Sequence, residues 1–155
     1  MKAAAQHPAF TLVELVVVIL VLGILAGVAS KRFFNSQQDA AEEATVTQVL
    51  EIFRAAELYY VKHGAWPANT DAGDFPAEFE GVLPESIFTR PSPIGRYFDW
   101  NGPGTGMPNY GVSIPPPVPV ETIQSIDDKH DDGNLRKGWI TRTPSGSINF
   151  ELIER

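Results

Sequence analysis

The distribution of apolar positions changes character along the chain, and each change predicts an element. From residue 9 to residue 29 the sequence AFTLVELVVVILVLGILAGVA is apolar nearly throughout. That is about the ~20 residues a bilayer-spanning helix needs. Beyond it, Val46, Val49, Phe53, Ala56 and Tyr60 recur at steps of three and four, while Gln48, Glu51 and Glu57 fall elsewhere on the wheel, the signature of a helix with one buried stripe. No proline occurs between Pro8 and Pro67, and His63-Gly64 reads as a stop signal. The pattern therefore predicts one helix over residues 10–63, apolar all round in its first half and amphipathic in its second. Gly23, Gly27, Ser30 and Asn35 weaken helix propensity where the halves meet. The glycine pair reads equally as a hinge or as a place for close helix packing.

Residues 64–119 hold 11 of the 13 prolines and 8 of the 13 glycines, which excludes long regular elements. Short strands are still legible there: Phe98 and Trp100 share one face of the run 96–100, and Val112 and Ile114 alternate in the same way. Pro115, Pro116 and Pro117 form a stiff extended connector. Residues 121–130 read as a short helix with Ile123 and Ile126 on one side and Gly133 just past its end. Residues 139–142 and 148–152, joined by Thr143-Pro144-Ser145-Gly146, read as a hairpin. The predicted class is α+β: a long N-terminal helix packed on a small antiparallel sheet with irregular Pro/Gly-rich loops.

Glu14 is the acid inside the apolar run, and no Lys, Arg or His lies between His7 and Lys31. A carboxylate in a membrane span costs several kcal/mol unless it is paired or neutralised, so a charge partner must come from another molecule or from an amine made by cutting the chain. Phe10-Thr11-Leu12-Val13-Glu14-Leu15, after a short polar leader and before unbroken Val, Ile and Leu, resembles the processing signal of type IV pilins and type II secretion pseudopilins. The resemblance implies that a prepilin peptidase cuts between Ala9 and Phe10, that the new Phe10 amine is methylated, and that this amine neutralises Glu14 of a neighbouring subunit. Ala9 stands where the family usually has Gly. The division implied is a leader over 1–9, a transmembrane and polymerisation helix over 10–30, and an extracytoplasmic head over 31–155. The partners implied are other pilin-like subunits in a homo- or hetero-polymer, the prepilin peptidase and an inner-membrane assembly platform. The location implied is the bacterial inner membrane, single-pass, with a periplasmic head and onward assembly into a filament.

Two plainer readings of the same run are a secretory signal cut after Ala29 and a simple single-span anchor. Either would leave a membrane-anchored or secreted domain that binds a ligand through aromatic surface, with Trp66, Trp100 and Trp139 as candidates. Tryptophans more often serve the core.

All but one of the 12 basic residues and all but one of the 19 acidic residues lie from residue 31 onward, so the net charge of -7 belongs to the head. Its sign opposes binding to nucleic acid or anionic lipid by bulk electrostatics. Without cysteine, an extracytoplasmic domain of this size relies on core packing, bound metal or assembly. Asp127, Asp128, Asp131 and Asp132 crowd around Gly133. Carboxylates on a flexible loop suit calcium, and the pseudopilin resemblance implies a calcium site in the C-terminal region. The spacing is not that of an EF-hand, and a solvated acidic turn at a helix end is the commoner meaning of such a stretch. The sequence holds no glycine-rich phosphate loop after a strand, no histidine pair at metal spacing and no Gly-x-Ser-x-Gly. The expected role is therefore structural, not enzymatic.

Overall fold

The computed structural model describes residues 11–104 and 110–152, apart from the Lys31 side chain. The chain divides into two compact units, Met1–Gln38 and Asp39–Arg155. Helix α1 runs over Leu12–His63 without interruption through Gly23 and Gly27. It ends where the sequence places its stop: Gly64 takes the left-handed backbone at φ 69° and donates its N–H to Tyr60 O, a terminus that glycine adopts without steric cost.

In the first unit the apolar side chains of α1 are exposed, including Leu12, Ile19, Leu22, Ile24 and Leu25. This stretch is long and apolar enough to cross a membrane.

In the second unit α1 buries one stripe. Val46, Val49, Ile52, Phe53, Ala55 and Ala56 lie in the core, whereas Tyr60, predicted on the same stripe, is 41% exposed and stacks on Trp66 with ring centroids 4.5 Å apart. Four short strands, β1 (Asp99–Asn101), β2 (Gly111–Ile114), β3 (Ile140–Arg142) and β4 (Ile148–Glu151), form an antiparallel sheet in the order β1-β2-β4-β3. The pairing Trp100 with Val112, Val112 with Phe150 and Ile140 with Phe150 places four large side chains in line across the sheet. All four are buried. Gly111 sits where any Cβ would strike the Phe150 carbonyl, so β2 and β4 approach more closely than another residue allows.

The segment between α1 and β1 contains a 3-10 turn (Ala77–Phe79) and α2 (Ser86–Thr89), neither of which the hydrophobic pattern predicts. Both exist to deliver aromatic rings. Phe79 stacks on Phe88 at 5.9 Å and meets Trp100 edge-on at 5.6 Å, and Trp100 donates its indole N–H to Pro67 O at 3.2 Å. Helix α3 (Val120–His130) buries Ile123 and Ile126, as its periodicity predicts, together with Asp127.

The aromatic cluster generates a stability prediction. Phe79→Ala removes a fully buried ring at the junction of loop, α2 and sheet, and it should cost ~3–5 kcal/mol of unfolding free energy. Urea unfolding followed by tryptophan fluorescence measures this. A loss below ~1 kcal/mol would mean that the loops between α1 and β1 fold independently of the core.

Candidate functional site

Glu14 lies in the first turn of α1, and Thr11 offers it hydrogen-bond donors. The Thr11 backbone N–H donates to Glu14 Oε2 at 3.0 Å, and the Thr11 hydroxyl donates to the same oxygen at 2.9 Å. The Glu14 N–H in turn donates to Thr11 Oγ1 at 3.2 Å. Thr-x-x-Glu is a capping box, which satisfies helix-start donors reciprocally. It stabilises the carboxylate without neutralising its charge. Ala9 and Phe10, where cutting and methylation are expected, lie outside the described residues.

The second site is the C-terminal end of α3. Asp127 is fully buried, and neither carboxylate oxygen has a hydrogen-bond partner. Leaving a buried acceptor unmatched is costly, the more so when it is charged. Oxygens of Asp127, Asp131 and Asp132 lie within 4.8 Å of one another. Burial pushes the Asp127 carboxyl up to about 6, and the neighbouring charges of Asp131, Asp132 and Asp128 push in the same direction. These acids also stand at the negative end of the α3 dipole, where anions are disfavoured.

Not all the predicted acids converge. Asp128 Oδ1 instead accepts a hydrogen bond from Gln124 Nε2 at 2.7 Å, so it contributes charge from outside the trio. The loop after α3 is shaped by short side-chain to backbone bonds. The Ile140 N–H donates to Asp131 Oδ2 at 2.8 Å, and the Asn134 N–H donates to Asp132 Oδ1 at 2.8 Å. Gly138, at φ 85°, makes room for the Asp131 carboxylate, because a Cβ there would collide with it. An orphaned buried carboxylate, two further carboxylates and a glycine cradle together fit a hard cation with oxygen ligands. An ordinary solvated turn does not explain a fully buried acid.

The opposite side of the same helical turn faces α1. Glu42 is fully buried and accepts hydrogen bonds from the Ser125 hydroxyl at 2.6 Å and the Lys129 ammonium at 2.8 Å. Lys129 also reaches Asp39 at 2.7 Å, and its bonds to Asp39 and Glu42 push its pKa up. His130 Nε2 lies 3.1 Å from Glu43 Oε1 without hydrogen-bond alignment. The sequence reading missed this seam, because nothing local pairs residues 39–43 with 125–130.

The tryptophans are largely occupied. Trp100 is fully buried. Trp139 is half-buried, donates to His130 O at 2.9 Å and packs against Phe53 and Phe150. Trp66 lies between Tyr60 and Tyr110.

Residues 7–30 match the prokaryotic N-terminal methylation motif. Over part of its length the chain is also similar to proteins named as type IV major pilins and as type II secretion system core protein G. It is 40% identical over 68 residues to the type IV major pilin protein PilE1 of Neisseria gonorrhoeae, a match covering 41% of this chain and 30% of that protein. It is 30% identical over 73 residues to the type II secretion system core protein G of Vibrio cholerae, covering 47% of this chain and 49% of the relative. With core protein G of Klebsiella michiganensis the identity is 26% over 95 residues, covering 60% of this chain and 59% of the relative. The matches thus span from about a third to somewhat over half the length of these relatives. No solved structure matches the chain significantly. Within the motif, the capped Glu14 is the charged position in an otherwise apolar helix start.

Burial of Asp127 gives its contribution to stability a pH dependence of definite sign. Its folded-state pKa of about 6 lies above the ordinary carboxylate value, so the fold holds a proton that the unfolded chain releases. The contribution from Asp127 is therefore fully present below about pH 4 and is lost as pH rises through about 6. In chelator, the melting temperature of Asp127→Asn relative to the parent should rise across that window, because Asn carries no charge to bury. A pH-independent difference between the two would show that the Asp127 carboxylate is not desolvated.

Proposed function

We propose that this chain is a structural subunit of a type IV pilus-like or type II secretion pseudopilus filament, assembled through the apolar first half of α1. The observation that carries the reading is the joint occurrence of an exposed, membrane-length apolar helix, a single acid at its start and the methylation motif over the same residues. In this reading residues 1–9 are a leader, and a prepilin peptidase cuts between Ala9 and Phe10. Residues 10–30 anchor the subunit in the inner membrane and later polymerise. Residues 31–155 form a periplasmic head, and an inner-membrane platform drives assembly. Polymerisation with similar subunits is what the relatives named as pilins and core protein G support.

Glu14 is the assembly residue. Thr11 satisfies part of its hydrogen-bonding demand but supplies no positive charge, and the Phe10 amine of a neighbour supplies one. In a low-dielectric helix bundle, pairing offsets a desolvation penalty that neither group carries easily alone. Glu14→Leu should leave membrane insertion intact, since it makes the span more apolar, while reducing sheared filament at least ~10-fold, the equivalent of about 1.4 kcal/mol of lost recruitment. Glu14→Asp should fall between. Sheared-fibre yield scored beside a membrane-fraction blot reads both steps. Parental filament yield from Glu14→Leu, in cells without another copy, would sink the assembly role.

The acidic end of α3 is read as a structural calcium site held by Asp127, Asp131 and Asp132, with Asp128 adding charge nearby. Bound calcium supplies the positive charge that the buried Asp127 lacks. A cation that binds only the folded state raises its stability by mass action. Calcium should therefore raise the melting temperature of the detergent-solubilised chain above its value in chelator, with Asp127→Asn abolishing most of the difference. Superimposable curves for the parent with calcium and with chelator would remove the site.

A further inference from the structure

The last turn of α3 carries two sets of side chains that point to different places. Asp127, followed by Asp131 and Asp132, belongs to the acidic cluster. Ser125, Lys129 and His130 belong to the seam with α1, where the buried Glu42 accepts from both Ser125 and Lys129. One short helical turn, closed by the Asp131 N–H donating to Asp127 O at 2.8 Å, therefore holds both sets in position.

We infer that a divalent cation on Asp127, Asp131 and Asp132 fixes this turn, and thereby locks α3 onto α1 through a latch in which Lys129 pairs with Asp39 and Glu42 and the Ser125 hydroxyl donates to Glu42. The inference rests on the calcium reading above and goes beyond it by assigning the cation a second task. Without the cation, repulsion among the acids favours fraying of the turn, since four carboxylates crowd the negative end of a helix dipole. Fraying displaces Lys129, whose ammonium is the charge partner of the buried Glu42. With the cation, the turn is rigid and the latch is closed. Lys129 is a positioning residue whose ion pairs run to Asp39 and Glu42 of α1.

Thermodynamic reciprocity gives the test its sign. If the cation tightens the latch, the latch must tighten the cation by the same factor. Simple electrostatics predicts the reverse for loss of Lys129: removing a positive charge near an acidic cluster should make calcium bind more tightly. Calorimetric titration of the detergent-solubilised full chain with calcium decides between them. Lys129→Met should weaken calcium binding about five-fold or more, and Lys129→Arg should restore it by remaking the ion pairs. Hydrogen exchange should agree: calcium should slow amide exchange in residues 120–131 and 39–46 of the parent, and Lys129→Met should lose the effect in 39–46. Should Lys129→Met fold poorly because Glu42 has lost its ammonium, the paired Lys129→Met and Glu42→Gln variant removes that buried carboxylate charge from the seam and nearly cancels the direct Coulomb change. It too should bind calcium more weakly. Unchanged or tighter calcium binding in the variant that folds, while the parent binds normally, would overturn the latch and leave the calcium site standing. Absence of calcium binding to the parent would remove the site and, with it, the latch.

Discussion

Burial of one stripe of α1 is the constraint around which the head is organised. Val49, Ile52 and Ala56 are completely excluded from solvent, and a helix that is polar on its other faces gains that burial only if a continuous apolar surface is brought to it. The sheet supplies part of that surface through Val112, Ile140, Ile148 and Phe150. Strands this short do not stand alone in water. Close passage of β2 and β4 at Gly111, and the ring cluster of Phe79, Phe88 and Trp100, complete the same core from the proline-rich side. With no disulfide to restrain the loops, these rings, the indole bond to Pro67 and backbone bonds such as the Gly73 N–H to Phe98 O hold them.

Two fully buried carboxylates in the head show how differently one problem is met. Glu42 is answered by a hydroxyl and an ammonium, a nearly complete set of partners for a charged acceptor. Asp127 receives nothing from the described residues and faces two more acids. Glu42 is explained by packing, since losing its partners would strand a charge. No such account exists for Asp127: asparagine or serine would fill similar space at a smaller cost, having no charge to bury. A carboxylate kept in that position is understandable when something positive completes it, and the glycine cradle at Gly138 gives its neighbour Asp131 room to take part.

What could be read from the sequence follows the range of the interactions involved. The helix end at Gly64, the burial of Ile123 and Ile126, the extended character of residues 99–100 and 112–114 and the closing hairpin all rest on local period and turn chemistry, and the structure repeats them. The sheet order is different in kind, because β2 finds β4 across α3 and β3. The turns at 77–79 and 86–89 have no amphipathic period; tertiary demand for Phe79 and Phe88 created them. The seam between α1 and α3 joins residues more than 80 apart, which no local pattern reveals. The acidic trio was partly legible: clustering drew attention to four acids, but only the fold separates the buried Asp127 from Asp128, which turns to Gln124. Thr11-x-x-Glu14 was fully legible as a capping box.

That capping box sharpens the meaning of Glu14. A threonine hydroxyl and an amide N–H reduce the cost of placing a carboxylate at the start of an apolar helix, which makes the lone subunit tolerable in a membrane. They are neutral donors, and charge-assisted bonds are roughly twice as strong as neutral ones. The acid is thus stable enough to wait and still gains substantially from a cation. A leucine at position 14 would remove the waiting cost and the gain together, producing a better anchor and a poorer recruit. Beyond its capping role, an acid there also makes physical sense if the helix meets a positive charge after insertion, which in the proposed reading is the Phe10 amine of a neighbouring subunit.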